Sequence, residues 1–352
     1  MMQKITAGLA DFRKKPAFTG FVLFVSTILL NAAVQGPASF FTAKSLNTLI
    51  NTNLPFMLVV MAQSILLISG TMDISVGIQL ALVNVVTIMT MQEWGIHFIA
   101  ACGLGIGAAI IASLVCWLLV SVFRLPALLA SYALTYAIRG VNVFIMNVPQ
   151  GKVAKVYYSA YGSLIFGVIP ASLLALVLVL LIWAYVRRTR FGSNIYAVGA
   201  SPRNAFAAGI NPVKVQLQAF LIKGLFVGIA GICLTLLTAS GNPVQAEAYG
   251  IRSLSACIIG GLSFGGWGTM ACGFFGGGFL VLIQNSVYFF FNLLYKLIPG
   301  FSVTSYWHNF ISDIIIFLGL LMTIVTAKGQ REALRVNLQD SVIFKRRAAN
   351  GK

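Results

Sequence analysis

The 352-residue chain is 59% hydrophobic and only 9% charged, whereas soluble domains carry about 25% charged residues. This excludes a soluble globule, which would lack the polar surface to cover itself, and makes the lipid bilayer the solvent for most of the chain. The net charge of +17 does not imply nucleic acid: Arg13–Lys15, Arg187–Arg190 and Lys345–Arg347 form short basic runs between or beyond apolar segments, the pattern that orients membrane proteins.

A helical crossing needs about 20 apolar residues. In chain order the sequence predicts spans near 18–36, 54–70, 74–91, 96–123, 126–146, 163–186, 215–239, 253–266, 269–292 and 308–326. The first follows a basic segment without a convincing small-residue cleavage site, so it reads as a span and not as a signal peptide. The eighth is short and glycine-rich and predicts a broken or re-entrant element. The expected fold class is all-α: a polytopic membrane protein of about ten transmembrane helices, including short broken or re-entrant elements. Its parts are a cytosolic N-terminal segment 1–17, a transmembrane domain 18–326 with a cytosolic loop at 187–214, and a basic cytosolic tail 327–352. With the N-terminus in the cytosol, seventeen Lys and Arg fall on the cytosolic side and five on the outer side. That asymmetry favours both termini inside and an even number of spans, ten in preference to eight.

The stretch "SGTMDISVG" at 69–77 places Asp73, one of seven acidic residues, between two apolar spans. Gly70 and Gly77 flank it with the same spacing as Gly261 and Gly268 in "IGGLSFGGWG", which also holds Gly265 and Gly266. All six read as helix-break glycines. The echo fits a duplicated half, common in transporters, or a chance likeness. Asp73 has two compatible roles. It can cap the helix beginning near Ile74, or, with Ser75, line the inner gate of a translocation path.

Further along, Arg139 lies near the outer end of the fifth span. A charge at the bilayer centre costs about 2.5–3.5 kcal/mol on insertion scales, so Arg139 is expected to face protein or to snorkel. Lys223 is expected to snorkel to the cytosolic interface. Gln284 and Asn285 are expected to hydrogen-bond between helices in preference to touching a solute. With Asp73, Ser75 and Arg139 they complete the candidates for lining a path. The pairs Gly224/Gly228 and Gly273/Gly277 predict close helix packing.

No catalytic or metal site is expected. The five cysteines lack C-x-x-C spacing and read as buried hydrophobes. The two histidines each begin an apolar run. No G-x-x-x-x-G-K-[ST] loop is present, so this chain has no phosphate cradle, and no cofactor is assigned to it.

The long polar interruption 187–214 contains a short helix by its grammar. Ser201 is the N-cap, Pro202 sits at N1, Arg203, Asn204, Ala205, Phe206, Ala207 and Ala208 form the body, and Gly209 is the stop. The small side chains of Ala205, Ala207 and Ala208 would let another protein's surface approach closely.

Four stretches carry a resemblance: "SGTMDISVG", "RLPALLASYALTYAIRG", "TRFGSNIYAVGASPRNAFAAGI" and "IIGGLSFGGWGT". In this order, and with Asn285 in the span that follows, they resemble the membrane permease subunits of bacterial sugar ABC importers, the ribose/galactose/arabinose/xylose group. The likeness runs from about residue 50 to 325. It implies a multi-pass protein of the bacterial inner membrane, surrounded by membrane lipid, that forms half of a sugar pore. A cytosolic ATPase subunit, which would hold ATP and Mg, would dock on the helix at 201–209. A second permease copy or a homologous permease would complete the pore, and a periplasmic or lipid-anchored binding protein would deliver solute. Gly250, Arg252, Trp267 and Ser193 depart from the family pattern, which leaves homodimer and heterodimer open. Pentose, hexose, a sugar-like signal molecule and nucleoside are all open as cargo. The alternative is a self-contained ion-coupled carrier, weakened because only Asp73 and Asp313 lie within or beside spans.

Overall fold

A computed structural model describes residues 16–263 and 265–297, together with 307, 310, 311, 313, 314, 317 and 318. The terminal segments 1–15 and 327–352 and most of the last predicted span lie outside the described residues.

The elements in order are α1 (Phe18–Gln35), α2 (Pro37–Phe40), α3 (Ala43–Ile68), α4 (Val76–Glu93), α5 (Phe98–Trp117, extended by a π turn over Leu118–Val122) and α6 (Ala127–Ile145). After α7 (Lys155–Gly162) comes a hairpin of β1 (Leu164–Ile165) and β2 (Ile169–Pro170), then α8 (Leu173–Arg187), α9 (Arg190–Ala200), α10 (Pro202–Ala207), α11 (Pro212–Thr238), α12 (Tyr249–Ile259) and α13 (Met270–Leu297). Among the described residues seven helices are long and apolar enough to cross a membrane: α1, α3, α4, α5 with its π turn, α6, α11 and α13. The all-α, polytopic expectation holds, but ten crossings are not reached among these residues.

Two predicted spans are shorter than the hydropathy suggests. The run from 163 opens with the β1–β2 hairpin, whose strands pair Ile165 with Ile169 across a three-residue loop in which Phe166 and Gly167 both take positive φ (52° and 72°). Only the 15 residues of α8 remain helical. The run from 253 belongs to α12, 11 residues long, which stops at a glycine-rich break as its composition predicts.

Helices α3, α4 and α11 form the centre. From Leu58 to Ile68 no side chain of α3 has exposed surface. Helix α5 packs on α4 and α11, and α1 packs on α13. Lipid offers apolar groups as good a solvent as the protein does, so close van der Waals contact is what holds such helices together. The glycine pairs supply it. A Cβ at Gly224 would lie 2.9 Å from the Ile110 Cα, and one at Gly228 would lie 3.0 Å from the Ile106 Cα, both on α5. Gly277 meets Met57 and Val60 of α3 in the same way.

Pro55 interrupts α3 without breaking it. A proline has no N–H to give the carbonyl four residues earlier, here that of Asn51. The Tyr161 hydroxyl of α7 donates to that carbonyl at 2.9 Å instead, and Ser172 donates to the Asn51 side chain.

Candidate functional site

The chain between α3 and α4 leaves helical geometry inside the protein. Gly70 turns it at φ 84°, and Ser69, Asp73 and Ser75 have no exposed surface. Asp73 Oδ1 accepts from the Ser75 backbone N–H at 2.8 Å and from the Ser75 hydroxyl at 2.5 Å. Its other oxygen accepts from Gln79 Nε2 of α4 at 3.1 Å and from Lys223 Nζ of α11 at 2.5 Å. The Lys223 ammonium also donates to Gln79 Oε1 at 2.7 Å and to Ser113 Oγ of α5 at 3.0 Å. An ammonium has three donors, and all three are used. The result is a neutral, saturated knot tying the break to three helices.

This corrects the expectation for Lys223. Its side chain has no exposed surface and does not snorkel, because the break carries Asp73 inward to meet it. Enclosed on every side, Asp73 and Ser75 line no open path in this structure.

The second break, after α12, turns on Gly261, Gly265, Gly266 and Gly268, with φ of 99°, 103°, 74° and 119°. Both breaks touch the end of α9. A Cβ on Gly70 would lie 3.4 Å from the Gly199 Cα, and one on Gly199 would lie 3.0 Å from the Gly266 N and overlap the Ile68 carbonyl oxygen. Gly199 thus fills a space between the two breaks, two residues before the N-cap of α10. Gly77, expected as a break glycine, is not one: it lies in the first turn of α4, where its lack of a side chain admits the Ala246 carbonyl oxygen, 2.5 Å from where a Cβ would lie.

The short polar helix forms as its grammar predicts. The Ser201 hydroxyl accepts from the Asn204 N–H at 3.3 Å, Pro202 opens the helix, and Gly209 ends it at φ 81°. Arg203, Asn204, Phe206, Ala207, Ala208 and Gly209 are exposed. Ala205 is not: it is buried in this chain's own core, so it offers no surface to a partner. Phe206 instead projects with 69% exposure.

Arg139 of α6 pairs with Glu247 at 3.5 Å, both side chains partly exposed. Glu247 belongs to an irregular segment between α11 and α12. Helix side chains hold that segment: Asn84 Nδ2 donates to the Ser240 carbonyl at 3.0 Å, Asn84 Oδ1 accepts from the Asn242 N–H at 2.8 Å, and Asn142 Nδ2 donates to the Pro243 carbonyl at 3.1 Å. Gln284 and Asn285 are half-buried. Asn285 donates to Asn31 Oδ1 of α1 at 2.9 Å, and Asn31 donates to the Leu282 carbonyl at 2.9 Å. Sequence reasoning passed over Gln79, Ser113, Asn84, Asn142 and Glu247. Their common signal was a polar side chain within or against an apolar run.

Long apolar helices, two glycine-turned breaks between them and a capped polar helix in the longest loop define a polytopic helical membrane protein. Residues 45–321 match the family described as "Branched-chain amino acid transport system / permease component", and the chain belongs to that family. It is similar to the "Probable ABC transporter permease protein YphD" of Escherichia coli strain K12, 26% identical over 276 residues that cover 78% of this chain and 80% of that protein. The "Ribose import permease protein RbsC" of the same strain is 28% identical over 328 residues, covering 90% and 94%. The "Fructose import permease protein FrcC" of Rhizobium meliloti is 25% identical over 273 residues, covering 74% and 75%. No solved structure matches the chain. The protein is therefore a membrane permease subunit of an ABC importer, and the ion-coupled carrier is set aside.

Proposed function

We propose that this permease imports a sugar or sugar-like solute across the bacterial inner membrane as one half of a two-permease pore. The observation that carries the reading is the likeness to import permeases named for ribose and fructose along at least 74% of this chain. Energy comes from a separate ATPase that holds ATP and Mg and docks on 201–209, with Phe206 as its projecting contact. A periplasmic or lipid-anchored binding protein delivers solute to the outer face. Both termini are cytosolic, as the seventeen-to-five distribution of basic residues favours. The saturated Asp73–Lys223 knot fits this reading, since a carboxylate already paired with an ammonium is poorly placed to couple an ion.

The test is purification of the tagged permease from its native membrane in mild detergent. Its ATPase and binding protein are identified, and the binding protein is titrated with ribose, fructose, allose, galactose and leucine. Binding of a sugar supports the reading. Binding of leucine alone, or absence of any ATPase from the complex, overturns it.

A further inference from the structure

The exposed face of α6 carries chemistry that lipid does not favour. Tyr132 and Tyr136 stand one turn apart, both about half exposed, with rings 5.1 Å apart at 78° and hydroxyls 2.9 Å apart. Arg139 continues the same stripe and pairs with Glu247 at 3.5 Å, the two side chains 46% and 32% exposed. At about 1.5 Å per residue, Tyr136 lies near the midpoint of this 19-residue helix. Arg139 follows three residues later, nearer the middle of the helix than its C-terminal end and so deeper than the sequence suggests. An ion pair left this open at such depth must be covered by water or by protein, because hydrocarbon penalises charge.

The neighbouring backbone points the same way. Between Ala239 and Ala248 the chain is irregular, with positive φ at Ala239 and Ala246 (53° and 63°). It reaches deep enough for the Ala246 carbonyl to pack on Gly77, at the start of α4. Val244 and Ala248 of this segment are exposed. Irregular backbone at membrane depth is tolerated only where protein buries it or where it lines a water-filled cavity. Two independent features, a charged aromatic stripe and a partly exposed non-helical segment, therefore meet on one face.

We propose that Tyr132, Tyr136, Arg139 and Glu247 form the substrate-contacting surface of this half of the pore. The proposal rests on the sugar-import reading above. The tyrosine rings offer flat apolar faces to the C–H face of a sugar ring. Arg139, with five donors, and Glu247, an acceptor, address its hydroxyls. A few polar groups fixed among aromatic walls is the usual make-up of a small-molecule site. The Asp73 knot is sealed, so this open face is where solute meets the chain.

The experiment uses the full importer with single substitutions Tyr132→Cys and Tyr136→Cys, and with Ile111→Cys and Leu178→Cys as exposed apolar references on α5 and α8. A charged, water-soluble methanethiosulfonate reports the rate of modification over the unaltered protein. Both tyrosine positions are expected to react at least tenfold faster than both references. The sugar that the unaltered complex takes up best, from ribose, fructose, allose and galactose, is expected to slow reaction at Tyr136→Cys severalfold. In parallel, Tyr136→Ala is expected to raise the KM of uptake at least fivefold, with Tyr136→Phe nearer the unaltered value. Reference-like rates at both tyrosines, with sugar uptake intact, overturn the assigned face and leave the import reading standing. Fast modification without protection by the transported sugar overturns the contact. Failure of the unaltered complex to take up any of the four sugars overturns the sugar reading and the ring stacking with it.

Discussion

Lys223 Nζ lies 2.5 Å from Asp73 Oδ2, and neither side chain has any exposed surface. The two residues are 150 positions apart in sequence, so the pair fixes the break between α3 and α4 to the centre of α11. Taking one charge away strands the other. Breaking a buried pair by removing one partner costs about 3–5 kcal/mol, whereas replacing both at once is far milder. Asp73→Asn and Lys223→Met are each expected to lower membrane abundance and thermal stability, and the double substitution to recover much of the loss. Fluorescence-detected size-exclusion after a heat ramp measures this. Additive losses in the double substitution would mean that the contact carries no coupling.

The surface helix separates a packing role from a docking role within a few residues. Ala205 is buried, and adding volume to a packed site typically costs about 1–3 kcal/mol, so Ala205→Trp is expected to reduce abundance. Phe206 and Ala208 are exposed. Phe206→Ala and Ala208→Trp are expected to leave abundance unchanged, to lose co-purification with the ATPase and to lose uptake. Retention of a working ATPase by both exposed-site variants would reduce 201–209 to a connecting loop.

The bounds of α10 were legible because capping is local: Ser201, Pro202 and Gly209 lie within one short stretch. Which side of the helix faces the core was not legible, since six residues are too few for an amphipathic pattern to declare itself. Lys223 failed for a different reason. Position along a span gives depth, but only the inward path of residues 69–75 brings a carboxylate to that depth. The hairpin at 164–170 was hidden by its composition, because an apolar run followed by more apolar sequence reads as one span until the positive φ at Phe166 and Gly167 divides it. The small-residue contacts of α11 with α5 were legible from spacing alone.

Orientation is tested outside the described residues. Seven Lys and Arg between Lys328 and Lys352 face only Glu332 and Asp340, and basic flanks are retained in the cytosol. A phosphatase active only in the periplasm, fused after Lys352, is expected to be silent, and a fluorescent protein that folds only in the cytosol is expected to be bright. The reverse pattern would place the tail outside and overturn either the orientation or the even number of spans.

Gly199 offers the most direct test of how the loop reaches the bundle. It lies at the end of α9, against Gly70 of one break and Gly266 of the other, and the N-cap of the polar helix follows two residues later. The contacts are backbone against backbone, so no side chain can rotate away to admit a methyl group. Gly199→Ala must therefore push α9 from at least one break, and interiors packed to crystal-like density transmit such strain. The surface of α10 is untouched, so ATPase co-purification is expected to survive while uptake falls at least tenfold. Gly209→Ala is the contrast: its positive φ is strained by a side chain, but nothing lies within 4 Å of the added Cβ, so any loss there comes from the exit of α10. Uptake and co-purification measured side by side decide the matter. Full uptake by Gly199→Ala would show that the junction between the two breaks is loose enough to accept a side chain and carries no movement from the loop to the bundle.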